Sequence, residues 1–292
     1  MRRIKYFFLL FSLLVTTTVS SQQKPAYRIF TGEGKETDYG AMLEEAMKAD
    51  VVFFGELHDN PISHWLELEM TKDIYKQRGK DLMLAAEMFE ADNQLIIDEY
   101  FAGFFRESSF ESQVRKWNNY VTDYKPLMNF AKDNGLRFIA SNIPRQYASM
   151  VASGGFEALD SLSPEGKQYI APLPVDYDPE LPCYKDMLSM GGPMGGHASG
   201  NLPKAQAIKD ATMSFFIARY RKPGNIVIHF NGSYHSDRHM GILWYLDIYS
   251  PGLKMVTVST VLQDDITTPG EDVMGKADYV VVVPEGMTRT YR

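Results

Sequence analysis

The sequence predicts an α/β fold with a largely parallel central sheet flanked by helices, and three features of the chain support this. Short apolar runs of strand length alternate with longer segments that carry apolar residues at helical spacing. That alternation is typical of β-α-β units, which build parallel sheets. Several of the runs end in charged or polar side chains, at the edge where parallel sheets bind ligands. We also expect helical insertions and a long Met/Gly-rich loop over the carboxyl ends of the strands.

The first half of the chain predicts three strands with helices between them. Asp38 is a suitable N-cap for a helix that leads directly into the first strand at Val51. Pro61 suits a first helical turn and opens the next helix. In order, we expect a helix at 38–48, a strand at 51–54, a helix at 61–77, a strand at 82–86, a helix at 92–100, an aromatic-rich helical excursion at 101–124, a helix at 126–133 and a strand at 136–140.

The composition changes between residues 145 and 203, where Pro, Gly and Met accumulate. We expect short helices at 146–159 and 164–170, followed by an irregular segment at 172–203. Long irregular stretches are often lids or binding loops, although a disordered insertion remains an alternative for the Gly-rich half. A helix at 205–220, a strand at 226–230, a helix at 237–249 and strands at 255–261 and 279–283 complete the prediction.

Residues 1–21 have the pattern of a secretory signal peptide. Arg2, Arg3 and Lys5 precede an apolar centre that is too short to span a bilayer comfortably. The only cysteine is Cys183, so no mature N-terminal cysteine is available for lipid attachment. We therefore expect an exported protein of the periplasm or the outer-membrane periphery, without a lipidation cysteine. Residues 22–292 would form a single α/β domain with helical insertions near 91–125 and 145–203.

Charge and hydropathy restrict the class of partner. Thirty basic and 37 acidic residues give a formal net charge of −7, and no Lys/Arg-dense stripe is interleaved with aromatic residues. These features argue against nucleic acid as a partner. After the signal, no apolar run approaches the length of a membrane span, so we expect no transmembrane segment in the mature chain.

Two Gly-x-x-His segments directly follow predicted strands. They are Gly55-Glu56-Leu57-His58 and Gly232-Ser233-Tyr234-His235. Turn formers account for Asn60-Pro61 and Asn231-Gly232 at such positions, but not for the charged groups beside them. A shared ligand or metal site explains those groups together: Glu56, His58, Glu87, Arg145 and His235. We interpret His229 as a core histidine, and His64 and His239 as packing or surrounding residues.

Together these segments resemble the ChaN-like haem-binding family within the Tiki/erythromycin-esterase-like group. The similar pieces are Gly55 to His58, Glu87-Met88-Phe89, Tyr124 to Leu127, Ala140 to Arg145, Ala205-Gln206 with Asp210 and Met213, and Asn231 to His235. They extend over roughly residues 50–249. The resemblance implies an exported haem-binding protein of haem and iron acquisition. Family members are often lipoproteins, and the missing cysteine departs from that pattern.

Non-covalent haem binding requires an apolar slot, an axial ligand and partners for the propionates. The chain offers candidates for each role: His58, His197 and His235 as imidazoles, Tyr177, Tyr184 and Tyr234 as phenolates, and Arg145 for a propionate. The sequence contains no Cys-x-x-Cys-His, which excludes covalent c-type attachment. The expected partners are haem and an outer-membrane haem-uptake system, and a homodimer that encloses the ligand stays open.

The alternative interpretation is a metal-dependent hydrolase of the related branches. Glu56, His58 and His235 would then hold a divalent metal such as zinc, and Glu56 or Glu87 would act as general base. Neither His-Glu-x-x-His nor Gly-x-Ser-x-Gly occurs in the sequence. Haem binding is therefore favoured over enzymatic activity, and a third alternative is an exported interaction module.

Overall fold

The computed structural model of the protein describes residues 24–190 and 200–291, and its centre is an eight-stranded sheet. The strands are β1 (Arg28–Thr31), β2 (Glu36–Thr37), β3 (Val51–Glu56), β4 (Leu82–Glu90), β5 (Arg137–Asn142), β6 (Ile226–Gly232), β7 (Met255–Gln263) and β8 (Tyr279–Pro284). Their order across the sheet is β2-β1-β8-β7-β3-β6-β4-β5. The strands from β8 to β5 are all parallel, while β1 and β2 form an antiparallel edge.

Strand β6 enters the sheet between β3 and β4, although it follows both in sequence. Every residue of these three strands is buried, as expected for a parallel sheet covered on both faces. Glu56, the last residue of β3, pairs in register with Gly232 at the end of β6. The carboxyl ends of three strands that are distant in sequence therefore lie side by side.

Helices cover both faces of the sheet. They are α1 (Tyr39–Ala46), α2 (Pro61–Arg78), α3 (Gln94–Phe101), α4 (Glu107–Gln113), α5 (Lys125–Asp133), α6 (Arg145–Gly154), α7 (Pro182–Met190), α8 (Leu202–Tyr220) and α9 (Ile242–Tyr249). Successive strand residues point to opposite faces, so Val52 and Phe54 pack in the core with α2, whereas Val51 and Phe53 pack with α8 and α9. Because both faces of the sheet are apolar, polar and charged side chains gather at the ends of the strands.

The predicted parallel sheet flanked by helices is confirmed, and several local predictions need correction. Strands β1 and β2 were not predicted, because four and two residues give too short a pattern to recognise. Helix α7 lies within the segment that was expected to be irregular. The helix expected from 237 begins only at Ile242, because Arg238 and His239 both have a φ of 57°, a conformation that does not continue a right-handed helix.

Two predictions fall outside the described residues. The signal peptide at 1–21 is one, and the Gly-rich part of the predicted loop at 191–199, with His197, is the other. Within residues 24–190 and 200–291, no helix has the length and apolar character required to cross a membrane.

Candidate functional site

His58 lies just beyond β3, held by a buried carboxylate. Its Nδ1 is 2.6 Å from Oε1 of Glu56, which also accepts a hydrogen bond of 2.7 Å from the Tyr124 hydroxyl. Burial alone would raise the pKa of Glu56, but His64 and His58 lower it, so the carboxylate accepts and Nδ1 donates. Burial alone would lower the pKa of His58, but Glu56 and Glu87 raise it. Nδ1 therefore stays protonated against Glu56, and Nε2 offers a lone pair when the ring is neutral. The ring also packs edge-on against Trp117.

The glycine of each Gly-x-x-His segment leaves space for a residue of the other segment. A Cβ on Gly232 would lie 2.7 Å from Nε2 of His58, and a Cβ on Gly55 would lie 2.9 Å from Cα of Ser233. Real Cβ atoms do not approach other atoms so closely, so position 55 requires glycine against the backbone of Ser233, and a side chain at 232 would displace the ring of His58. The two motifs thus follow neighbouring parallel strands and pack against each other, Gly55 against Ser233 and Gly232 against His58.

His235 follows β6 and is buried between two carboxylates. Its Nε2 is 3.2 Å from Oε1 of Glu87, and its Nδ1 contacts Asp210 of α8. Burial alone would lower the pKa of His235, but Glu87 and Asp210 raise it to about 10. The pKa of Glu87 falls well below its usual range despite burial, because of His235. His235 is thus an imidazolium ion with both nitrogens engaged.

Glu87 also links β4 to β6. Its Oε2 accepts a hydrogen bond of 2.8 Å from the backbone N–H of Gly232. Gln206, one turn before Asp210 on α8, contributes a side-chain amide 3.0 Å from Nδ1 of His235. The strand ends and α8 together fix the orientation of the His235 ring.

A cavity of about 800 Å³ opens above these groups, within the size range of ligand sites in proteins. Its walls carry three basic side chains, two glutamates, two histidines and several apolar groups: Lys116, Arg145, Lys209, Glu87, Glu90, His58, His235, Trp117, Ile143, Ala148, Leu202 and Ala205 among them. Glu90 is paired with Arg115 at 2.8 Å and with Arg145. The pairing leaves the cavity wall basic on balance.

A smaller cavity of about 510 Å³ shares His58, His235 and Tyr291 with the larger one. Tyr291 reaches both because residues 285–291 run back from β8 across the strand ends. Thr290 holds this segment in place: its backbone N–H donates to the Asp59 carbonyl at 2.9 Å and its hydroxyl to Asp123 at 2.7 Å. We call residues 285–291 the strap.

The tyrosines predicted as iron ligands lie in different surroundings. Tyr184 of α7 is fully buried and donates its hydroxyl hydrogen to Asp210 at 2.7 Å. Tyr177 packs against Tyr184 and Phe156. Tyr234 lines the smaller cavity, but its hydroxyl donates to the Cys183 carbonyl. Neither Tyr177 nor Tyr184 lines either cavity.

The proposed metal set of Glu56, His58 and His235 is not gathered as a set. Among the described residues, the only group of three or more His, Cys, Asp or Glu side chains whose ligand atoms all lie within 4.8 Å of one another is Glu56, His64 and Glu67. Burial lowers the pKa of His64 but Glu56 and Glu67 raise it, to about 10, and burial with Glu56 raises the pKa of Glu67 well above its usual range. Without a cation, protons therefore neutralise this group.

Several residues of the site were not recognised as such in the sequence. Asp210 is buried on α8 with the half-buried Gln206 one turn before it, and Glu67 is buried on α2. The first two entered the sequence analysis only as pieces of the family resemblance. Polar residues among apolar positions of a helix face are a signal that could have identified them. Lys116, Trp117 and Tyr291 carried no such signal, because only the folding of long connections brings them to the cavity.

Comparisons with known proteins agree with this fold. The family model described as "Haem-binding uptake, Tiki superfamily, ChaN" matches residues 42–246. The structure of ChaN of Campylobacter jejuni, solved with cofacially bound haem, superposes with a TM-score of 0.64 at 18% identity, over 88% of this chain and 96% of that one. At that identity the likeness shows the fold.

Two further similarities are weaker. A mutant of the erythromycin esterase EreC in its open conformation has a TM-score of 0.46 and 9% identity, over 88% of this chain and 83% of that one. Protein RETICULATA-RELATED 5, chloroplastic, of Arabidopsis thaliana is 26% identical over 194 residues, which are 62% of this chain. The match spans only 26% of that protein's length. Because the family model covers most of the chain and the sheet carries its site at the expected strand ends, the chain belongs to the haem-binding uptake family of ChaN within the Tiki superfamily.

Proposed function

We propose that this protein binds haem non-covalently in the larger cavity at the strand ends. One observation carries the proposal. His58 directs Nε2, the nitrogen that can bind iron when the ring is neutral, at a basic cavity, while its Nδ1–H is held by the buried carboxylate of Glu56. A carboxylate on the far nitrogen fixes the tautomer and orientation of a metal-binding histidine and makes it a better ligand.

His58 is a better candidate for the axial ligand than the other predicted residues. The two ring nitrogens of His235 are engaged by Glu87 and Asp210, and a protonated imidazole has no lone pair to offer. Tyr184 is sealed in the core, where burial and Asp210 raise its pKa and disfavour the phenolate. The side chain of His58 is 35% exposed, which leaves its ring open to a ligand.

The cavity wall fits the remainder of the haem. Arg145 has a side chain that is 60% exposed, and with Lys116 and Lys209 it can pair with propionate groups. Trp117 and Ile143 supply apolar surface for the macrocycle. The bound iron would provide the coordination chemistry, while the protein supplies the ligand, the slot and the counter-charges.

The hydrolase alternative finds less support in this geometry. A general base requires a carboxylate or imidazole that is free to take a proton from water. Glu56 is engaged by His58 and Tyr124, and His235 already carries its proton between two carboxylates. Glu87 is likewise engaged, by Gly232 and His235. Of the strand-end groups only His58 could act as a base, so a hydrolase would depend on the same residue that we assign to haem.

A spectroscopic haem titration of the mature chain tests the proposal. We expect a saturable, stoichiometric change in the Soret band, and His58→Ala to weaken binding by about tenfold or more, about 1.4 kcal/mol. His239→Ala is the matched control, because His239 is bonded to Asp278 and lies outside both site cavities. Haem binding that is unsaturable, or equal in the two variants, would contradict the assignment.

We further propose that the protein is exported and takes part in haem and iron acquisition, handing haem to or from an outer-membrane uptake system. The signal-like pattern of residues 1–21 and the family membership support this role. Cell fractionation of the native host, combined with growth of a deletion strain on haem as the sole iron source, tests it. A cytoplasmic protein, or unimpaired growth of the deletion strain, would contradict the role.

A further inference from the structure

A second cluster lies directly behind the haem site, on the far side of Glu56. Glu56, His64 and Glu67 are 1%, 6% and 0% exposed. His64 and Glu67 are three residues apart on α2, so both point from one face of the helix toward the end of β3. The end of β3 and the helix that follows it thus bring two carboxylates and one imidazole together in the protein interior.

The ring of His64 is oriented by its outer nitrogen. Nε2 lies 3.1 Å from the carbonyl oxygen of His58 and 3.4 Å from the carboxylate of Asp123, both of them acceptors. Nε2 must therefore carry a hydrogen. Nδ1 faces inward, 3.1 Å from Oε2 of Glu67 and 3.4 Å from Oε2 of Glu56.

Two carboxylate oxygens of the cluster have no hydrogen-bond partner. They are Oε2 of Glu56 and Oε1 of Glu67, both buried from solvent. A buried acceptor without a donor costs about 1–3 kcal/mol, and more when it is charged. In the metal-free protein, protons on Nδ1 of His64 and between the two carboxylates can hold the group together, whereas a cation would bind all three side chains at once.

We propose that Glu56, His64 and Glu67 bind a divalent transition metal ion, with Zn²⁺ as the best fit to one imidazole and two carboxylates. Ligands about 2.0–2.1 Å from tetrahedral Zn²⁺ are separated by about 3.3 Å. The separations of 3.1 and 3.4 Å around Nδ1 match that spacing. Two carboxylates also balance the charge of the ion, which is essential in a buried site.

The surroundings suit a bound metal. Metal-binding histidines almost always donate their other N–H to a carbonyl or carboxylate, as Nε2 of His64 does toward His58 and Asp123. Glu56 also lines part of the smaller cavity. Glu56 would then join two sites, with Oε1 bonded to His58 and Oε2 bonded to the metal.

This site does not depend on haem binding and differs from the set of Glu56, His58 and His235 expected from sequence. The test is therefore made on the haem-free, chelator-treated full chain, titrated with Zn²⁺ alone. We expect one Zn²⁺ per chain, measured by calorimetry and by elemental analysis after dialysis. Glu67→Gln and His64→Ala should each weaken binding by at least about tenfold.

Glu69→Gln is the matched control, since Glu69 lies on the same helix but pairs with Lys72 at the surface, and it should bind like the wild type. His58→Ala and His235→Ala should also retain the ion. Three results would overturn the proposal: no saturable Zn²⁺ binding, binding that Glu67→Gln and His64→Ala leave unchanged, or binding that is lost only when His58 or His235 is replaced.

The wild-type protein provides a measurement that does not depend on whether the variants fold. X-ray absorption of the Zn²⁺-loaded chain should show a shell of nitrogen and oxygen with a single imidazole. Two or more imidazoles would place the ion at the strand ends and overturn the assignment.

Discussion

Gly55 and Gly232 allow the segments that carry His58 and His235 to pack closely against each other. Gly55 leaves room for Ser233, and Gly232 leaves room for the ring of His58. The sequence predicted that His58, Glu87 and His235 lie near one another, because all three follow strands of one parallel sheet. It could not predict that both ring nitrogens of His235 would be engaged and the ring charged, because that depends on Asp210 of α8 as well as on Glu87.

Gly232→Ala should displace the His58 ring, since the added Cβ would lie 2.7 Å from Nε2 and 3.6 Å from Oε2 of Glu87. We expect a loss of about 1–3 kcal/mol in the free energy of unfolding and a weaker haem complex. Denaturant unfolding and the haem titration measure the two effects. Gly286→Ala is the control, because no heavy atom lies within 4 Å of its Cβ position. If both variants behaved alike, the close contact between residue 232 and the His58 ring would not require a glycine at position 232.

The buried His229 should make the stability of the fold sensitive to acid. It is fully buried in β6, bonded to Ser141 at 2.9 Å and to Asn231 at 2.9 Å, and burial lowers its pKa to about 4. Above pH 6.5 neither the folded nor the unfolded state holds this proton. As the pH falls from 6.5 toward 4, the unfolded state binds a proton that the folded state does not bind. The free energy of unfolding therefore falls, by a total of roughly 3 kcal/mol.

The pH dependence of the unfolding free energy between pH 4 and pH 7 checks this expectation. His229→Gln removes the titrating group while keeping polar atoms, and its stability should decline less steeply over that interval. An equally steep decline in the variant would assign the acid sensitivity to other groups.

At the scale of elements, the late strand β6 creates the site by entering between β3 and β4. The alternation of apolar runs predicted these strands, but the order in which they pair is set by how the connecting helices pack. The strap is a second example. Its sequence has no periodic pattern. It reaches the cavities because Thr290 forms hydrogen bonds with Asp59 and Asp123.

Thr290→Val should loosen the strap, because it removes the hydroxyl that donates to Asp123 at 2.7 Å. We expect about 1 kcal/mol of lost stability and faster release of haem from the cavity beside Tyr291, measured by transfer to an acceptor protein. Thr288→Val, at an exposed position of the same segment, is the control. Equal release rates in both variants would show that the strap does not retain haem.

At the scale of the whole molecule, the cavity combines groups from β3, β4, β6, α6, α8 and the strap, so ligand binding should stabilise the entire fold. The strap and β8 lie outside the residues that match the family model, whereas the central strands lie within them. The shared part therefore supplies the floor of the cavity, and the later part of this chain closes one side.

Haem should raise the unfolding temperature more than iron-free protoporphyrin does, because only haem can use the His58 lone pair. A ligand present at 100 times its Kd stabilises a protein by about 2.7 kcal/mol. Thermal unfolding with each porphyrin measures the difference, and His58→Ala should abolish it. The same difference in that variant would mean that another residue binds the iron.

The sequence by itself determined the parallel α/β architecture and the placement of Glu56, His58, Glu87, Arg145 and His235 at strand ends, because periodicity and strand polarity are local properties of the chain. Only the tertiary structure decided how these groups differ in charge and availability. The pKa and the free lone pair of a histidine depend on burial and on carboxylates contributed by other elements, such as Asp210 of α8 beside His235 and Glu56 of β3 beside His64. Those contacts form only when helices α2 and α8 pack against opposite faces of the sheet.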